Sequence, residues 1–88
     1  MKYRKVLDLI AEELTRAELI FPGFPEDPVH AATVLGEEAG EVLKAALKWT
    51  YQNGSRDDME KEAVQAGAMA VRFLLNIEKM KARPSVQV

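Results

Sequence analysis

Residues 63–75 read Ala-Val-Gln-Ala-Gly-Ala-Met-Ala-Val-Arg-Phe-Leu-Leu, a run in which only Gln65 and Arg72 are polar. A helix that is apolar around its whole circumference has to be covered on every side. In a chain of 88 residues, two further helices do not suffice to surround it. The small residues Ala63, Ala66, Gly67, Ala68 and Ala70 would let another backbone approach closely. The run therefore predicts a helix at the centre of a homo-oligomer, a dimer or tetramer, packed as a four-helix or larger bundle.

The rest of the chain divides into two more helices. Tyr3, Val6, Leu7, Ile10, Leu14 and Ala17 recur at spacings of three and four, which predicts an amphipathic helix over residues 2–20. Phe21-Pro22-Gly23-Phe24-Pro25 ends it, because two prolines and a glycine do not continue a helix. Asp27 then suits an N-cap and Pro28 the first helical position, where its missing N–H costs nothing. This second helix is expected to run to Gln52, with Asn53-Gly54 as the left-handed stop. Ser55 caps the third, whose first turns hold Asp57, Asp58 and Glu60 at the positive end of the helix dipole. That helix is expected to reach Ala82, before Pro84. There is no strand-like alternation. The expectation is an all-α fold with three helices per chain, one domain over residues 1–82 and a frayed C-terminal tail over residues 83–88.

Composition removes several function classes. There are no cysteines and one histidine, His30, so disulfides, thiolate zinc sites and histidine cages within one chain are excluded. A metal site would have to be built from oxygen ligands, which points to Mg²⁺, Mn²⁺ or Ca²⁺. The net charge is −2, with both signs interspersed, unlike the basic stripe of a nucleic-acid binder. No signal-peptide pattern and no membrane-length apolar stretch is present. A soluble, cytoplasmic protein with no membrane partner is expected.

Against that background one cluster is unusual. Glu37, Glu38 and Glu41 occupy one region of the second helix, Glu37 and Glu41 at i, i+4 and Glu38 and Glu41 at i, i+3. Like charges at these spacings repel by roughly 0.2–0.5 kcal/mol per pair. The compensating Lys44 and Lys48 come only one and two turns later. A divalent cation would turn the repulsion into coordination. Gly36, Ala39 and Gly40 flank the cluster, and glycine costs up to about 1 kcal/mol in a helix relative to alanine. Their presence predicts another helix packed close beside the carboxylates. The third helix offers Glu62 and Gln65 at i, i+3, with Asp58 one turn before Glu62.

The pattern Glu37-Glu38-x-x-Glu41, twenty residues, then Glu62-x-x-Gln65 resembles the signature of the all-α MazG-like nucleoside triphosphate pyrophosphohydrolases, EExxE followed at a similar distance by ExxD. The resemblance covers about residues 28–80. It implies Mg²⁺-dependent cleavage between the α- and β-phosphates of a nucleoside triphosphate, giving a monophosphate and pyrophosphate, with Mn²⁺ as the other candidate ion. Carried over residue by residue, it makes Glu38, Glu41 and Glu62 metal ligands. Glu37 is a further ligand or the group that deprotonates the attacking water. Gln65 stands where the motif has aspartate. It can coordinate through its carbonyl oxygen, but it removes one negative charge from the site. The alternatives to this enzyme are a non-catalytic helical module binding nucleotide or protein, and an enzyme like the phosphoribosyl-ATP pyrophosphatases.

Outside the motifs, Lys44 and Lys48 either reach a triphosphate or make ordinary surface charge pairs. Trp49 and Tyr51 stack on a nucleobase or serve packing. His30 is expected at the surface. Arg72 is expected in an intersubunit ion pair or on phosphate. Phe21 and Phe24 are expected to anchor the proline-rich loop to the core, or to close that loop over a substrate.

Overall fold

The computed structural model describes residues 1–82, which form three helices and no strand. Helix α1 spans Tyr3–Ile20, α2 spans Pro28–Tyr51 and α3 spans Arg56–Asn76, followed by a single 3₁₀ turn at Ile77–Lys79. None of the described helices is long and apolar enough to cross a membrane. The expected tail, and Pro84 with it, lies outside the described residues.

The capping chemistry read from the sequence is realised at both helix starts. Asp27 accepts a hydrogen bond from the Val29 N–H at 3.1 Å, with Pro28 opening α2. Ser55 Oγ accepts from the Asp58 N–H at 2.9 Å, and Asp57 and Asp58 occupy the first turn of α3. At the end of α2 the two turn residues divide the work. Asn53 takes the left-handed conformation, φ 57°. Gly54 is required by contact instead: a Cβ there would stand 2.8 Å from the carbonyl carbon and Cβ of Lys48 and 2.9 Å from the Trp49 nitrogen. Gly54→Ala is therefore expected to destabilise the fold by about 1–3 kcal/mol, the usual cost of overpacking. Thermal unfolding followed by circular dichroism measures it; an unchanged melting temperature would contradict so close an approach.

The third helix is shorter than its apolar pattern suggests, ending at Asn76 and not near Ala82. Asn76 turns its side chain back to donate from Nδ2 to the Arg72 carbonyl at 2.8 Å, and its backbone opens to φ −108°, ψ 0°. Such local side-chain bonds compete with helix continuation. After the 3₁₀ turn the chain is tied back across the molecule, where the Lys81 N–H donates to the Glu26 carbonyl at 2.9 Å.

Helix α3 packs against both α2 and α1. Gly67 permits the closest approach of α1: a Cβ at that position would lie 3.1 Å from Cδ1 of Ile10. The α1–α2 loop is held down by Arg72, which is only 4 % exposed. Its Nη2 donates to the carbonyls of Phe21 and, at 3.0 Å, Gly23. Its guanidinium carbon sits 5.3 Å from the centre of the Phe24 ring, a cation–π distance. Anchoring is thus done by two loop carbonyls and the Phe24 ring, while the Phe21 side chain is exposed. Among the described residues Arg72 makes no ion pair; its contacts within the chain clamp the loop.

What is missing is a core. Besides Arg72, the buried described residues are the three alanines Ala31, Ala45 and Ala68, and no large side chain is fully buried. On α3, Leu74 and Leu75 are 65 % and 61 % exposed, so the apolar run at residues 63–75 is not enclosed by α1 and α2. On α2, nothing lies within 4 Å of a Cβ built on Gly36 or Gly40. No described helix supplies the close neighbour that these glycines suggest.

Candidate functional site

The acidic residues meet along the seam between α2 and α3. Asp27 and Ser55 cap the starts of α2 and α3, which pack against each other, with Ala45 and Ala68 buried. Glu38 and Glu41 then come from α2 and Glu62 and Gln65 from α3. Glu38, Glu62 and Gln65 are half-buried, whereas Glu37 and Glu41 are exposed.

Electrostatics ties the cluster together. Glu38 has its carboxyl pushed above the ordinary range, first by burial and then by the negative charges of Glu62, Glu41, Glu13 and Glu37. Burial and like charge both disfavour the ionised form. Three of these four neighbours, Glu37, Glu41 and Glu62, have no ion-pair partner within 4 Å among the described residues. Lys44 and Lys48 likewise make no ion pair within 4 Å among the described residues.

Two clefts flank the seam. One, of about 140 Å³ near the α2–α3 turn, is lined by Glu41, Lys44, Lys48, Asp58 and Glu62 among others. The other, of about 110 Å³ between all three helices, holds Glu38, Gln65 and Arg72 together with Glu13 and Arg16 of α1. The structure therefore joins Lys44 and Lys48 to the acidic residues but leaves Trp49 outside both clefts and half-exposed. His30 is exposed, as expected.

The chemistry of the donors suits a hard divalent cation: carboxylate oxygens and one amide, mutually repelling and largely without cationic partners. Their positions are not a finished ligand set. Among the described residues no three Asp, Glu or His side chains converge closely enough to hold an ion.

Glu13 is the site residue that the motif reading did not find. It forms a two-point contact with Arg16, which donates from Nε to Oε2 at 2.8 Å and from Nη2 to Oε1 at 2.6 Å. Its carboxyl is held below the ordinary range, chiefly by that hydrogen-bonded guanidinium. A signal was present. Val6, Ile10, Glu13 and Ala17 follow the 4-3-4 spacing of one helix face, so Glu13 is a charge on the apolar stripe. Comparison with known proteins adds nothing to this geometry: no family model, no curated protein and no solved structure matches the chain.

Proposed function

We propose that the chain is a MazG-like nucleoside triphosphate pyrophosphohydrolase dependent on Mg²⁺ or Mn²⁺, acting as a homo-oligomer. The observation that carries this reading is the gathering of the two family-like motifs at the α2–α3 seam. There Glu41 and Glu62 line one cleft, and half-buried Glu38 has its carboxyl raised by burial first and then by Glu62 and Glu41. Holding so many acidic groups together without paired cations costs stability, and a divalent ion offsets that cost on binding.

Glu38, Glu41 and Glu62 would hold the ion. When bound it neutralises phosphate charge and lowers the pKa of a coordinated water. Glu37, exposed at the edge of the cluster, accepts the proton of the attacking water at its carboxylate. Lys44 and Lys48, in the cleft with Glu41 and Glu62, bind phosphate oxygens as point charges. In-line displacement at the α-phosphorus then releases pyrophosphate.

The oligomer rests on the uncovered surface. Gly36, Gly40, Leu43 and Leu47 follow one another at four, three and four residues along α2. Leu43 and Leu47 are 62 % and 48 % exposed. This spacing is that of a helix–helix seam, and a second copy would close it beside the carboxylates.

The direct test is incubation with a panel of canonical and modified deoxynucleoside triphosphates plus Mg²⁺ or Mn²⁺, reading pyrophosphate release. No turnover of any triphosphate by folded protein refutes the reading. Gln65 favours a second reading, a non-catalytic module that binds nucleotide, since a neutral amide stands where the motif has a carboxylate. Gln65→Asp separates the two. An otherwise complete site gains metal affinity and activity from the added charge, whereas a binding module gains metal affinity at most.

A further inference from the structure

We infer that Arg16 of α1 is a polyphosphate-binding residue, held in waiting by Glu13 at the mouth of the cavity that contains Glu38, Gln65 and Arg72. The inference rests on the proposed triphosphate reading and assigns α1 a share in the site, although neither acidic motif lies on that helix.

Arg16 is the more exposed partner of its pair, with a side chain 56 % accessible against 14 % for Glu13. Its hydrogen bonds to Glu13 use one edge of the guanidinium, the edge-on geometry with which arginine also grips phosphate. A phosphate that takes the guanidinium over leaves the half-buried Glu13 carboxylate unpaired, a competition that Glu13→Gln removes. Both residues line the three-helix cavity and also the broader α1–α3 cleft of about 700 Å³, which shares Gln65 with the cavity and adds Lys61, Glu12 and Glu60. Arg72, also lining the cavity, spends Nη2 on loop carbonyls. None of its buried side-chain nitrogens lacks a partner, so its unbonded Nε and Nη1 keep some solvent contact. The cavity lining thus holds two carboxylates, Glu13 and Glu38, together with two guanidinium groups, Arg16 and Arg72, charges of both signs such as a metal-bound polyphosphate needs.

The test is titration calorimetry of the full chain with Mn²⁺ alone, and with inorganic tripolyphosphate in the presence of Mg²⁺. Tripolyphosphate carries no base, so the unknown nucleoside does not enter. Arg16→Ala is expected to weaken tripolyphosphate binding about tenfold while leaving Mn²⁺ affinity within a factor of two or so, with Arg16→Lys in between. Glu13→Gln, which releases Arg16, is expected to tighten tripolyphosphate binding several-fold. Arg4→Ala, removing the same charge from an exposed position near the start of α1, controls for net charge and should change nothing. If Arg16→Ala binds tripolyphosphate as well as wild type, or Arg4→Ala loses as much, the assignment of Arg16 is overturned while the metal site stands. If wild type binds neither Mn²⁺ nor tripolyphosphate, both readings fall together.

Discussion

Replacing Glu38 by glutamine is expected to have two opposite effects: pyrophosphate release falls by on the order of 10²-fold or more, and the metal-free protein becomes more stable. The first follows from removing a ligand, since even residues that only orient a ligand alter affinity or activity by about 10–100-fold. The second follows from the charge environment. The Glu38 carboxyl is raised in the folded state by burial and by Glu62, Glu41, Glu13 and Glu37. A group whose folded pKa lies above its unfolded one makes the fold lose stability as pH rises through that range. Ionised Glu38 therefore costs stability at neutral pH, and a neutral amide of the same shape does not. The melting temperature of Glu38→Gln without metal should rise by a few degrees, on a scale of about 4–8 °C per kcal/mol for a domain of this size. Mg²⁺ should then stabilise the wild type and not the variant. A Glu38→Gln protein that melts lower than wild type without metal, or that keeps its activity, removes Glu38 from the site.

Leu43→Glu is expected to dissociate the protein. In sedimentation the wild type should run as a dimer or tetramer and the variant as a smaller, less stable species. Burying one leucine side chain is worth about 1.5–3 kcal/mol, and this substitution also places a charge in the seam, where an unpaired charge is costly. At Leu43, 62 % exposed in the single chain, a monomeric protein would accept glutamate with little change. The experiment therefore separates the two cases cleanly. A wild type that sediments as a well-folded monomer overturns the oligomer.

These two experiments probe features of very different visibility. Helix α2 was legible almost to the residue, because Asp27, Pro28 and Asn53 mark its ends by local backbone chemistry. The end of α3 was not. The apolar pattern continues past Asn76, and only the Asn76 bond to the Arg72 carbonyl and the Lys81 tie to Glu26 show why the helix stops. Arg72 was visible as an anomaly in an apolar run, but its partners, the carbonyls of Phe21 and Gly23, lie about fifty residues away in sequence. No periodicity reports such a contact.

By itself the apolar run at residues 63–75 demands a third helix covered on every side, a demand from which the sequence predicts a homo-oligomer. Tertiary structure alone decided how far one chain can meet that demand. It packs α3 against both α1 and α2 yet buries only Ala68 and Arg72 on it, leaving Leu74 and Leu75 exposed. It likewise decided that Glu13 and Arg16 join the acidic seam, because which faces of α1 and α3 meet depends on the close approach of Ile10 to Gly67. Local sequence sets the phase of a helix, but only packing selects its neighbour.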